Sequence, residues 1–315
     1  MTSYPEASPP WRIIMGPTAA GKSAIAMHLA EHYGLAIISA DSRQVYRGFD
    51  IGTAKPTPAE QERVPHYGID LLEPAVRYSA HQWASDARRW RADARAAGRD
   101  AVVVGGTGFY VRALVEPLDD APSLDPDRRA ALEAWLATLG GAELTRWCQR
   151  LDPARAALGR TQQRRAVETA LLAGRRISAS HAHARAEAPT VDDRTRYLVI
   201  DPGDELATRI VERVQAMMAA GWVDEVCGLM QRVPADAAAW NASGYRTIRE
   251  AVAGGGGLER AVDRVIIETR QYAKRQRTWC RHQLPAAAVT ALDSRSTDAL
   301  ARARAWWESE DGSLT

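Results

Sequence analysis

Eight residues near the start of the chain, Gly16, Pro17, Thr18, Ala19, Ala20, Gly21, Lys22 and Ser23, carry the spacing GxxxxGK[ST]. Two glycines at that separation let the backbone curl until its N–H groups converge on an anion, with a helix N-terminus behind them. Lys22 adds a positive charge, and the Ser23 hydroxyl can ligate Mg²⁺. The chemistry on offer is phosphate or pyrophosphate binding. Taken alone, the motif points to nucleotide binding, ATP above all, but it does not name the phosphate compound.

A phosphate loop that works on a nucleoside triphosphate also places an aspartate after a hydrophobic strand to hold the metal. The best such strand, DAVVV (100–104), ends in Gly105-Gly106 instead. Two aspartates stand in comparable positions: Asp201 after RYLVI (196–200) and Asp41 after LAIIS (35–39). Asp41 is the favoured one, because ligands of open α/β sheets bind at the carboxyl ends of strands. The alternative is that Asp41 only caps a turn, since Asp-Ser commonly starts one.

Around these residues, WRIIM (11–15), the glycine turn and helical periodicity over 22–33 read as strand, loop, helix. A strand over 35–39, a helix over 79–97 stopped by Gly98, and the strand 100–104 continue the alternation, which implies a parallel sheet. Between 117 and 189 strand signals vanish, and Ala/Leu/Arg-rich helical segments break at Gly140-Gly141, Asp152-Pro153 and Gly174. A strand at 196–200 then leads into helices over 205–219, 223–232, 245–252 and 258–283. The expected fold is α/β: a P-loop NTPase-like parallel sheet flanked by helices, with an all-helical insertion domain. The core spans 11–116 and 190–305, and the insertion 117–189.

The 315 residues, 46% hydrophobic and 25% charged, suffice for a real core. No apolar run approaches the roughly 18 residues of a membrane span, and MTSYPEASPP has neither a basic start nor an apolar core, so a cytoplasmic protein without a membrane partner is expected. A monomer is expected. Cys148, Cys227 and Cys280 are far apart and form no CxxC or Cys/His pair, which argues against a disulfide framework or a zinc site. The net charge of +2 identifies no partner, but its distribution is uneven. Arg155, Arg160, Arg164, Arg165, Arg175, Arg176 and Arg185 face one carboxylate, Glu168, over the same stretch. That excess predicts salt-sensitive contact with nucleic-acid phosphates, against the alternative of a solvated helical face. In the helix 258–283, Arg270, Lys274, Arg277 and Arg281 share one face; Tyr272, Gln276 and Trp279 fall on another, where Tyr272 and Trp279 are assigned to the core. Gly244, Tyr245 and Arg246 open a further helix that could meet phosphate or a base.

Together GPTAAGKS, SADSRQVYRGFDIGTAKP (39–56) and VVGGTGFYVRAL (103–114) resemble the tRNA dimethylallyltransferase (tRNA isopentenyltransferase) family. LATRIVERVQAM (206–217), SGYRTI (243–248) and TRQYAKRQRTWCR (269–281) agree in the same order. The resemblance implies transfer of a dimethylallyl group from dimethylallyl pyrophosphate to N6 of adenosine 37, in tRNAs reading codons that start with U. It implies that the loop holds pyrophosphate, with Mg²⁺ on Ser23 and Arg213 assisting, Arg209 one turn away being the other candidate. By resemblance Asp41 is the base that accepts the N6 proton and Thr107 positions that amine. The anticodon stem-loop would meet Asp41, Ser42, Arg43 and Gln44, then Thr161, Gln162 and Arg165 in the insertion, and Gly244, Tyr245, Arg246, Lys274, Arg277 and Arg281. The Asn-Asp opening usual before the family's arginine and glutamate is absent from GRTQQRRAVE (159–168). Three other readings use the same loop: a small-molecule kinase, a prenyltransferase of free adenine nucleotides, and a noncatalytic RNA-binding protein. The basic insertion and the AKRQRTWCR face count against the first two.

Overall fold

Runs dominated by β-branched and aliphatic residues can be buried on both sides, as central strands of a parallel sheet must be. Ile13, Ile14 and Met15 of β1 (Arg12–Met15) and every residue of β2 (Ala36–Ala40) and β4 (Ala101–Gly105) are buried in this way in the computed structural model, which describes residues 10–116, 126–179 and 194–309. With β3 (His66–Tyr67), β5 (Arg196–Ile200) and β6 (Val289–Leu292) they form one six-stranded sheet of order β3-β2-β4-β1-β5-β6. Every pairing is parallel. β1 lies between β4 and β5, with Met15 level with Gly105 and Val199. The chain therefore departs from β1 in one direction to reach β2 and in the other to reach β5, which opens a crevice at the carboxyl edge.

Helices α1 (Lys22–Tyr33), α2 (Pro58–Arg63), α3 (Ala80–Ala96) and α4 (Gly108–Val115) alternate with the first strands. α3 starts on a reciprocal capping box between Ser79 and Gln82, and α2 on another between Thr57 and Glu60 with proline in its first turn. One core cluster packs Leu29, Ile37, Val102, Leu198 and Trp306 between the sheet and its helices.

The chain divides into two compact units, residues 1–115 with 192–315, and residues 116–191. Within the described residues the second unit contains three longer helices, α5 (Pro126–Thr138), α6 (Gly141–Leu151) and α7 (Arg160–Ala173), and has its own core of Leu136, Leu139, Leu144, Cys148, Ala166 and Val167. Its only fully buried carboxylate among the described residues, Asp152, accepts from the amide and hydroxyl of Ser178 at 3.1 and 2.5 Å. Arg185 and the ends of the expected insertion fall outside the described residues.

In the first unit, α8 (Leu206–Ala219), α9 (Trp222–Met230), α10 (Tyr245–Ala253) and α11 (Leu258–Gln283) enclose an aromatic core of Phe49, Trp222, Trp240 and Tyr245. α12 (Ala299–Glu308) follows β6 and packs Ala303 and Trp306 onto the sheet cluster. The sequence reading did not anticipate β3, β6, α2 or α12.

Candidate active site

Gly16 leaves β1 at φ 144°, where an added Cβ would sit 2.1 Å from the Ile200 carbonyl oxygen; only glycine fits against β5 there. The loop then passes through Ala19 in the left-handed region at φ 63°, a strained state for a residue with a Cβ, and Gly21 at φ 91°. α1 begins at Gly21 with no capping side chain and no acidic residue in its first turn. Its first amides therefore have no intrahelical acceptor and no competing carboxylate, the arrangement that receives an anion. Two loop amides are used internally: Thr18 N–H donates to Gln276 Oε1 at 2.8 Å and Ala20 N–H to the Pro17 carbonyl at 3.3 Å.

The loop forms one wall of a cavity of about 380 Å³ at the carboxyl edge of the sheet. Lys22, Ser23, Asp41, Arg43, Gln44 and Arg213 share it with Gly106, Tyr272 and Gln276, and Val214, Met217, Trp222 and Val265 supply apolar surface. Lys22 donates one hydrogen bond, 2.7 Å to the Pro17 carbonyl, leaving two donors. Burial first, then the Arg213 charge, pull its pKa down to about 8, while Asp41 and Cys280 act the other way. Burial also lowers Arg213, with Asp41 opposing, although a guanidinium stays charged. Arg213 makes no hydrogen bond or ion pair among the described residues. Arg209, by contrast, pairs with Glu205 at 3.1 Å and donates to Ser294 at 3.0 Å. Of the two candidates, Arg213 is the one that lines the cavity unengaged.

The turn cap expected of Asp41 is present, and it does not take the carboxylate out of the cavity. Its Oδ1 accepts from the Arg43 amide at 2.8 Å, a turn cap, and the same carboxylate lines the cavity. The cap fixes the orientation of the carboxylate and leaves Oδ2 without a hydrogen bond among the described residues. Thr107, after β4, is anchored through its amide to the Ala40 carbonyl at 3.1 Å, and its Oγ1 accepts from the Ser42 amide at 3.1 Å. The ends of β2 and β4 are thus tied side by side.

Tyr272 corrects the sequence reading: it lines the cavity, half-buried, rather than the core. Burial pushes its hydroxyl up to about 12, Asp41 adds to that rise, and Arg43 and a hydrogen bond with Thr107 oppose it. The phenol is therefore a neutral donor within electrostatic reach of Asp41. Gln276, expected on a packing face, joins two site segments: Oε1 accepts from Thr18 and Nε2 donates to the Gly106 carbonyl at 3.0 Å. An added Cβ on Gly106 would lie 2.0 Å from that amide nitrogen. The signal for both was the spacing of Thr269, Tyr272 and Gln276, which line the cavity from one face of α11.

The remaining candidates are dispersed. Gln44 is engaged by Ser39 at 2.8 Å and by the Thr53 and Ala54 carbonyls at 3.3 and 3.1 Å, so its amide braces the turn. Tyr245 is buried, its hydroxyl bonded to Glu225 at 2.5 Å and to the Gly52 amide at 3.0 Å, and Arg246 donates to Asn241. Arg277 is paired with Asp201 and also donates to the Gly203 carbonyl; Lys274 and Arg281 are exposed on the same helix. In the second unit Thr161, Gln162 and Arg165 are exposed, with Gln162 accepting from Arg155 at 2.6 Å. Arg160 and Arg164 donate to the Leu139 and Glu133 carbonyls at 2.8 and 2.9 Å. Three of the arginines thus act as internal ties.

Comparison with known proteins places this architecture. The family model IPP transferase matches residues 44–283, and the model Isopentenyl transferase matches residues 10–68. A tRNA dimethylallyltransferase of Halorhodospira halophila is 42% identical over 89% of this chain and 92% of its own, and that of Deinococcus radiodurans 39% identical over the same shares. Among solved structures, the tRNA isopentenylpyrophosphate transferase of Bacillus halodurans is 33% identical, with a TM-score of 0.62 over 90% of this chain and 89% of that one. A eukaryotic dimethylallyltransferase solved acting on tRNA shares the fold at a TM-score of 0.78 and 23% identity. With a phosphate loop, an aspartate and a threonine turn meeting at one sheet edge, and with matches along nearly its whole length, the chain belongs to the IPP transferase family.

Proposed function

We propose that this chain transfers a dimethylallyl group from dimethylallyl pyrophosphate to N6 of adenosine 37 in tRNAs reading codons that start with U. The observation that carries the reading is a single cavity that combines a cationic phosphate loop, an oriented carboxylate and apolar walls. In the reaction the N6 lone pair attacks the allylic carbon, the carbon–oxygen bond to pyrophosphate breaks, and Asp41 accepts the N6 proton. The amine is a weak nucleophile because its lone pair is delocalised into the ring, which is why a placed carboxylate helps. Thr107 and the neutral Tyr272 hydroxyl hold the amine beside Asp41. Lys22, Arg213 and the loop amides receive the charge that builds on the departing pyrophosphate. Val214, Met217, Trp222 and Val265 offer the branched five-carbon group a dry seat.

A divalent cation fits the donor set in a restricted sense. Among the described residues no cluster of three His, Cys, Asp or Glu could hold an ion alone. Ser23 has an exposed hydroxyl at the cavity with no protein partner among those residues. That suits Mg²⁺, which takes few protein ligands and completes its shell with phosphate oxygens and water. When bound it would neutralise the pyrophosphate.

An extruded loop base can be read without opening a duplex, which suits a pocket of this kind. The exposed Arg165, Lys274 and Arg281 would supply phosphate contacts. The test is incubation with unmodified tRNA, Mg²⁺ and either dimethylallyl pyrophosphate or ATP. Prenyl incorporation into adenosine 37 with the first donor supports the reading; none on a confirmed substrate tRNA ends it.

A further inference from the structure

Arg43 belongs to two cavities. Besides the one above it lines a second, of about 600 Å³, together with Tyr46, Arg77, Tyr78, Asp236 and Asn241. Tyr46 is only 5% exposed; its ring packs on Phe49 and its carbonyl accepts from Lys55 at 2.8 Å. Yet its hydroxyl makes no hydrogen bond among the described residues. The ring is buried, but the hydroxyl oxygen itself is not sealed from solvent, so it is a donor open to whatever occupies the cavity that Tyr46 lines. Arg43 and Arg77 also hold no carboxylate among the described residues. Burial raises the Tyr46 pKa while both guanidiniums oppose the rise, so both act on the phenol oxygen.

The other polar groups are largely committed. Tyr78 gives its hydroxyl to Asp86, and Asn241 accepts from Arg246 through Oδ1, leaving its NH₂ as a further donor. Asp236 is the one carboxylate of the lining. Uncommitted donors with a positive excess match an oxyanion better than a neutral base edge, which needs donors and acceptors in alternation. Asp41 and Tyr46 lie five positions apart on one turn, tied by the Tyr46 amide to the Arg43 carbonyl at 3.3 Å. We propose that this second cavity holds a phosphodiester of the RNA strand next to the nucleotide presented to Asp41, on Tyr46, Arg43 and Arg77. The proposal rests on the RNA-modifying reading above.

The test uses the full chain and an unmodified anticodon stem-loop RNA. Tyr46→Phe removes one oxygen and keeps the ring; Arg77→Ala removes one exposed charge. Each is expected to weaken RNA binding by about 3- to 10-fold and to leave the affinity for dimethylallyl pyrophosphate and the melting temperature unchanged. Arg77→Ala should also reduce the salt slope of binding by about 0.7, the value for one single-strand phosphate. The decisive arm places a single neutral methylphosphonate at successive loop linkages. At one linkage wild type should lose the same affinity, and the two variants should lose nothing more. Variants that bind RNA like wild type would overturn the proposal, and so would losses that persist undiminished at every linkage, which would indicate a base site. A third arm titrates inorganic phosphate and pyrophosphate into the RNA-free protein: a thermal shift at low millimolar anion that Tyr46→Phe abolishes would assign the cavity to a free anion and overturn the RNA assignment. If wild type neither binds RNA nor transfers the prenyl group, the parent reading fails; if it does both and the variants match it, only this inference fails.

Discussion

The phosphate loop, with a single lysine, and the arginine-rich helices of the second unit both read as anion sites in sequence, and they behave differently in three dimensions. The loop works through its backbone: Gly16 against β5, Ala19 and Gly21 in the left-handed region, and uncapped amides at the start of α1. None of that depends on a distant partner's choice of rotamer. The arginines work through long side chains, and Arg155, Arg160 and Arg164 spend them on Gln162 and on backbone carbonyls of their own unit. Arg165 stays exposed without a partner among the described residues. A backbone-built anion site is thus determined by where its glycines fall, whereas a side-chain-built one depends on which donors the fold leaves over.

Asp41 belongs to both kinds, since a backbone amide holds one oxygen and the cavity receives the other, and it is where the largest effect is expected. Asp41→Asn should lower kcat by about 10³-fold, within the usual range for a general base, with RNA affinity changed less than about twofold. Lost RNA binding in this variant would make Asp41 a binding residue instead. Lys22→Met comes next, with donor affinity falling by about 10- to 100-fold, the worth of a charge-assisted hydrogen bond. Because the Lys22 pKa sits near 8, the free enzyme holds the ammonium below that pH and loses it above. Donor affinity should therefore be flat below pH 8 and fall by up to about tenfold per unit above it, and the Met variant should lack that break. A wild-type profile flat to pH 10 would contradict the role of Lys22.

Gln276→Leu cuts the tie between the phosphate loop and the Gly106 turn. It should reduce kcat by about 10-fold with small changes in either KM, because it displaces the two reactants relative to each other rather than either contact. Unchanged turnover would leave the tie purely structural. The smallest effects bear on the arginines themselves. Arg165→Ala should weaken RNA binding a few-fold and reduce its salt slope by about 0.7 to 0.9. Arg160→Ala should instead lower stability by about 1 kcal/mol through a lost hydrogen bond and leave the slope alone. Equal slopes for the two would erase the distinction between exposed and inward-turned arginines.

Much of the frame was legible. The strand over 196–200 and the helices over 22–33 and 258–283 were read to the residue, because apolar runs and glycine stops are strong local signals. β3 and β6 were not: one is two residues long, and the other lies in an alanine-rich stretch where propensity is weak and only pairing with β5 makes a strand. α2 was readable in principle, since Thr57, Pro58 and Glu60 spell a capping box.

The phosphate loop, its strand–helix setting and the aspartate after β2 follow from short-range chemistry and are written in neighbouring residues. That Arg213 and not Arg209 lines the cavity unengaged, that Tyr272 lines the site, and that Tyr46 and Arg77 stand open beside it are outcomes of packing. These outcomes depend on which side chains distant elements satisfy. A hydrogen bond from Arg209 to Ser294, 85 positions away, leaves no trace in local periodicity.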